Sequence, residues 1–219
     1  MTLALVVRQA QPVDVPKASR WLWNIDWSEL LPRALTDDGI ELRVGSIEAA
    51  MPFITAHYAE IFEQDLERDR FYAEPFDDAK IRYYQTADIF DIAHRGRTIG
   101  LLIAAPSDWS TYYVRTMAVL PAYQGRQLPR VVLPLLFERL AEAGVRRFEA
   151  ETSPSNLATM LFLTRMRFNV TGSVMSERWG ALLRLTRFLD EGAEDAFLDK
   201  FCSGIRYQQP HRRRSTITR

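Results

Sequence analysis

The segment LPAYQGRQLPRVVLPLL, residues 120–136, sets a Gln-Gly-Arg loop directly against an apolar run of helical spacing that carries Pro129 and Pro134. A loop entering a helix presents unpaired backbone N–H groups, and the helix end adds about half a positive charge, so a phosphate group docks there without a dedicated lysine. Gly125 lets the backbone come close, whereas Gln127 adds a Cβ. Pro129 suits a first helical position because its missing N–H would be unpaired anyway, yet it removes one phosphate donor. Arg126 and Arg130 are placed to compensate through charge-assisted contacts. Pro134, about one turn further in, has to kink the helix or mark its true start. The plainer alternative, a surface loop before a core helix, explains Pro129 and the apolar run. It does not explain the spacing of Val119, Pro121, Gln124 and Gly125.

Upstream, ADIFDIAH alternates Asp88, Phe90, Ile92 and His94 against Ile89, Asp91 and Ala93, the pattern of a half-buried strand. Arg95-Gly96 makes a tight turn into TIGLLIAAP, and the loop SDWS leads to TYYVRTMAV, which gives three antiparallel strands in succession. Before them IELRV, residues 40–44, reads as a strand. Ile47, Met51, Ile54, Tyr58, Ile61 and Phe62 then recur at three- and four-residue steps, an amphipathic helix whose regular part starts near Ala50 because Pro52 fits only a first turn. Residues 1–40 form an arm in which WLWNIDW places Trp23, Trp27 and Leu30 at helical spacing. A short helix covering body surface is expected, ahead of a lid or partner-binding role, since a Trp cluster in water would be an exposed patch.

Downstream, the helix of the opening segment ends at Gly144. RRFEAETSPSN supplies a strand and an N-cap at Ser155 or Asn156, followed by a helix burying Leu157, Met160, Leu161 and Leu163. TGSVMSERWGALLRLTRFL closes the body, residues 41–190, with two more strands. Residues 191–219 add a small helix through Phe197, Leu198 and Phe201 and a basic tail, QQPHRRRSTITR, read as disordered.

Composition narrows the function. A chain of 219 residues, 47% apolar, can bury a sufficient core in one main domain. Its 28 basic residues balance 28 acidic ones, which argues against a nucleic-acid or anionic-lipid footprint. Single Cys202 excludes an internal disulfide framework and a Cys-rich zinc site. The first residues lack a basic leader and no apolar run reaches the 18 or so residues of a spanning helix, so a soluble, cytoplasmic protein with no membrane contact is expected.

Residues 41–190 resemble the GNAT superfamily of acyl-CoA-dependent N-acyltransferases. The resemblance rests on element order and on two signatures. In the first, Val119, Pro121, Gln124, Gly125 and Arg126 are in place, while Gln127 replaces the first signature Gly and Pro129 the final small residue. In the second, Asn156 and Phe168 match at the right spacing, with Arg167 where Gly is usual and Leu163 where Tyr is usual. The resemblance implies an α/β fold with a mixed central sheet of about six to seven strands flanked by helices. It also implies acetyl-CoA or another acyl-CoA as co-substrate, with no metal. Backbone groups of Met117 and Val119 would pair with pantetheine, the segment Gln124, Gly125, Arg126, Gln127 and Leu128 together with Arg130 would hold the pyrophosphate, and Asn156 would lie near the thioester. A simple helix cap remains an equal reading of Asn156.

An amine attacking a thioester loses a proton, and a general base assists. Glu151 is the first candidate, five residues before Asn156, where the resemblance implies that some family members that modify protein N-termini carry a Glu. A solvated or ion-paired structural role stands beside it. Tyr113, with Tyr112, is a weaker candidate, and packing is the alternative. His57 and His94 show no partner in the sequence, and Cys202 follows a core-like Phe201. Leu163 cannot protonate the departing thiolate as the family Tyr does. Two function classes result. One is an N-acyltransferase, most simply an N-acetyltransferase, acting on a small-molecule or protein amine, with homodimerisation open. The other is an eroded member that binds acyl-CoA or a partner without efficient catalysis.

Overall fold

The computed structural model describes residues 17–62, 78–176 and 179–202. The chain forms strands Arg33–Ala34 (β1), Ile40–Val44 (β2), Asp88–His94 (β3), Arg97–Asp108 (β4), Thr111–Val119 (β5), Arg147–Thr152 (β6), Asn169–Ser176 (β7) and Gly180–Phe188 (β8). Its helices are Ala18–Trp23 (α1), Ile47–Phe62 (α2), Asp78–Thr86 (α3), Leu128–Glu142 (α4), Leu157–Arg165 (α5) and Glu191–Phe201 (α6). The strands make one mixed sheet in the order β1-β2-β3-β4-β5-β6-β8-β7, antiparallel throughout except for the β5–β6 pair.

Eight strands exceed the six to seven expected because β1, two residues long, adds to the edge opposite Leu42 and Glu41. The β3–β4 hairpin turns on Arg95 and Gly96, both at positive φ (51° and 79°), as a right-twisting two-residue turn requires. The next turn is Trp109-Ser110 alone, since β4 runs through Ser107 and Asp108.

Each face of the sheet has its own core. On one, Leu128, Val132, Leu133, Leu136 and Leu140 of α4 and Leu163 of α5 pack with Phe90, Ile92, Leu102, Val114 and Phe148. On the other, Ile47, Ala50 and Phe53 of α2 cover Ile89, Leu101 and Ile103. β3 is therefore buried on both faces rather than half-buried, since the arm fills the part of the first face that α4 leaves open. Trp27 packs edge-on against Phe90 with centroids 5.0 Å apart, and Trp23 lies 6.1 Å from Tyr112. The arm covers body surface, but not as one helix: α1 stops at Asn24 in the left-handed region, and Trp27–Glu29 form a separate 3-10 turn.

Both helix-interior prolines are absorbed. α2 begins at Ile47, so Pro52 lies past its first turn, and α4 begins at Leu128 and continues through Pro134. Each proline forfeits a single i−4 hydrogen bond, and the buried faces of both helices outweigh it. α4 ends as expected, with Gly144 left-handed (φ 90°) and Val145 N–H donating to Leu140 O. α5 departs from expectation: Leu163 is buried, but Leu157 and Leu161 are exposed. α6 covers the predicted Phe197–Phe201 segment, whereas the basic tail lies outside the described residues.

Candidate active site

β5 and β6 pair only from Thr111–Arg147 to Val114–Ala150; beyond that rung they part. The cause is in β5. Its pairing with β4 jumps from Val114–Ala104 to Thr116–Ile103, leaving Arg115 as an extra, bulged residue, and bulges bend their strand. Leu120 N–H donates to Ile99 O on the β4 side at 2.9 Å. Strand alternation therefore turns the backbone groups of Met117 and Val119 to the opposite edge, into the opening. The Gln124 amide donates to Val119 O at 3.3 Å. The opening thus offers an extended ligand a strand edge that β6 leaves unpaired, with Val119 O taken by the Gln124 side chain.

At the end of that edge the chain turns through Pro121–Tyr123 into α4. Gly125 (φ 80°) and Gln127 (φ 58°) are both left-handed. The N–H groups of Gly125, Arg126, Gln127 and Leu128 make no hydrogen bond among the described residues. Four free donors at a helix start form an anion cradle. Of the two arginines expected to assist, Arg126 is committed to Asp38 at 2.6 Å and lies over the Tyr123 ring, while Arg130 bonds the Gln127 side chain at 2.7 Å from an exposed position. The Thr36 hydroxyl, then Arg126, hold the Asp38 carboxyl down to about 2. His94 does have partners, sharing a 2.9 Å bond with the Tyr123 hydroxyl, and His57 pairs with Glu60 at 3.0 Å.

Glu151 and Tyr113 meet at the opening. The Tyr113 hydroxyl donates to Glu151 Oε2 at 3.1 Å. Arg184 of β8, opposite Glu151 in register, donates to Oε1 through Nε and Nη2 at 3.0 and 2.7 Å. A carboxylate accepts about four hydrogen bonds, so three are in use and Oε2 keeps one place. Glu149, on the same face, takes a bond from the Thr186 hydroxyl at 3.2 Å and stands 3.9 Å from Arg184. Burial, followed by the Glu151 charge, pushes the Tyr113 phenol far above its usual range, so it stays neutral and donates. Tyr112 faces the opposite core and gives its hydroxyl to Asp88 at 2.8 Å.

Asn156 is the α5 N-cap, accepting from Thr159 N–H at 3.1 Å. Sequence reasoning missed Arg184, because only the β6–β8 register reveals its place, and Arg115, because its bulge leaves no sequence signal. Among the described residues no group of three or more His, Cys, Asp or Glu side chains is arranged to hold a metal ion.

The sequence pattern of the acetyltransferase (GNAT) family matches residues 51–168, more than half of the chain. The chain belongs to this family. Solved structures share the GNAT fold. The N-acetyltransferase from Staphylococcus aureus Mu50 is 17% identical at a TM-score of 0.53, with 69% of this chain and 99% of that one covered. The GNAT domain of S. lividans PAT is 16% identical at a TM-score of 0.52, with 72% of this chain and 96% of that one covered. The yncA protein of Salmonella typhimurium, solved with its cofactor acetyl-CoA, is 21% identical at 0.53, covering 70% and 95%. No curated protein matches the chain. Gln127 and Arg167, for which the sequence resemblance implied glycine positions, are both left-handed, at φ 58° and 64°. Leu163, for which the resemblance implied a tyrosine position, is packed in the core. No helix among the described residues is long and apolar enough to cross a membrane.

Proposed function

We propose that the protein is an N-acyltransferase that moves an acetyl or other short acyl group from coenzyme A to a primary amine by direct attack. The observation that carries this is the Tyr113–Glu151 pair at the mouth of the β5–β6 opening, on the same opening that the Met117 and Val119 backbone edge lines and that leads to the Gln124–Leu128 cradle. Family membership and the acetyl-CoA in the yncA structure support the choice of co-substrate. In the reaction the amine nitrogen attacks the thioester carbonyl, its proton passes to the free place on Glu151 Oε2, and the carbon–sulfur bond breaks. The thiolate, from a thiol of pKa about 8.5, leaves as the anion and takes its proton from solvent. Leu163 cannot serve as that acid.

The test is Glu151→Gln. Calorimetric acetyl-CoA affinity is expected to persist, while thiol release with an accepted amine falls roughly 100-fold or more. Equal rates would return Glu151 to a structural pair with Arg184. A second reading, an acyl-CoA binder without efficient turnover, is favoured by the missing phenol at Leu163 and the three bonds already on Glu151. Cofactor binding with no turnover for any amine would select it.

A further inference from the structure

The last rung of the β5–β6 ladder joins Val114 to Ala150. One step further the parallel register would set Arg115 beside Glu151, a cation facing a carboxylate. That rung is not made, and other partners hold the two side chains apart. Glu151 is drawn towards β8 by Arg184 and covered by the Tyr113 hydroxyl. Arg115 leans the other way, onto α3: its Nε donates to the Tyr84 hydroxyl at 3.0 Å, and its guanidinium lies 5.7 and 5.6 Å from the centroids of the Tyr83 and Tyr84 rings. Among the described residues no carboxylate stands within ion-pair distance of Arg115. The tyrosines orient the guanidinium without neutralising it. The opening therefore carries a positive group on one lip and a negative group on the other.

We propose that the acceptor is a zwitterion, a free amino acid whose amine approaches Glu151 while its carboxylate seats on Arg115; this rests on the acyl-transfer reading above. The planar guanidinium fork suits a carboxylate, and the bulge that opens the cofactor edge is the same feature that presents Arg115. A protein N-terminus offers a neutral amide where the free amino acid has its carboxylate, and a lysine ε-amine offers nothing there, so either would leave Arg115 without an anionic partner. The inference thus chooses between the two acceptor classes that the sequence left open.

Thiol release at saturating acetyl-CoA tests this with the common free L-amino acids, each compared with its α-amide and its decarboxylated amine, for the unmodified protein, Arg115→Ala and Arg115→Lys. Thermal melting and acetyl-CoA calorimetry serve as controls for fold and cofactor site. The best amino acid is expected to exceed its own amide by about tenfold or more in kcat/KM, mainly through KM. Arg115→Ala should abolish that preference and Arg115→Lys should keep part of it. An amide or amine used as well as the acid, or a preference that survives Arg115→Ala, overturns the inference while acyl transfer stands. Acetyl-CoA binding without thiol release for any acceptor overturns the acyl-transfer reading, and this inference with it.

Discussion

Gln127 and Arg167 hold a left-handed backbone that glycine adopts without steric cost. An L-residue in the left-handed region costs roughly 1–2 kcal/mol, and Gly removes most of that while adding some unfolded-state entropy. The two sites nevertheless predict opposite outcomes. Gln127 is exposed and its side chain bonds only Arg130, itself exposed, so Gln127→Gly should raise stability by up to about 1 kcal/mol and preserve coenzyme A affinity. Arg167 pairs with the buried carboxylate of Glu194, and removing it leaves that charge to Arg187 at 3.5 Å and Asn169. Arg167→Gly should therefore destabilise by about 1–3 kcal/mol despite the relieved backbone. Denaturant titration of the two variants checks both signs; a destabilised Gln127→Gly would show that the Gln side chain anchors the loop. That neither position is glycine was readable in the sequence, but the left-handed backbone there was not, because φ is invisible in the residue type.

β4 and β5 show how a strand pair shapes a site. Gly100 sits where a Cβ would lie 2.6 Å from Ala118 O and 3.2 Å from the Val119 Cα, both backbone atoms of β5 next to the strand edge that lines the opening. Gly100→Ala has to spread the two strands, at a cost of about 1–3 kcal/mol, and the displaced Val119 edge should lose about tenfold or more in acetyl-CoA affinity. Melting and calorimetry test the pair of effects; an unchanged affinity would mean that this edge does not hold the cofactor. The strands from Asp88 to Val119 were legible because alternation and turn residues agree along them. α3 and β1 were not: DAKIRYYQT has too few apolar positions to show a period, and two residues cannot show one. The exposure of Leu157 and Leu161 was equally hidden, since helical spacing names a face without saying whether anything covers it.

The arm and the sheet are joined through one buried carboxylate. Asp88, 2% exposed at the start of β3, accepts from the Tyr112 hydroxyl, while Lys17 of the arm reaches over to the carbonyls of Gln85 and Ala87 at 3.0 and 2.9 Å. Ser19 and Trp27, also from the arm, stand near enough to favour the charge on Asp88, yet Ser19 Oγ, Trp27 Nε1 and Asp88 Oδ1 lack a well-formed hydrogen bond among the described residues. Burial dominates and raises the Asp88 carboxyl above the ordinary aspartate range, with Ser19, Tyr112, Trp27 and Lys17 opposing it. The folded protein thus binds the Asp88 proton more tightly than the unfolded chain does. The resulting stability is fully present below the unfolded value and declines as pH rises through the folded one. Asp88→Asn keeps the size of the side chain and removes the titration. The difference in melting temperature, variant minus unmodified protein, should therefore become more positive as pH rises above the ordinary aspartate value of about 4, whatever its absolute sign. Arm release, followed by the fluorescence of Trp23 and Trp27 against Tyr112 and Phe90, should track the same pH dependence. A flat or falling difference would mean that Asp88 is held charged by the arm, and that Lys17 rather than burial sets its state.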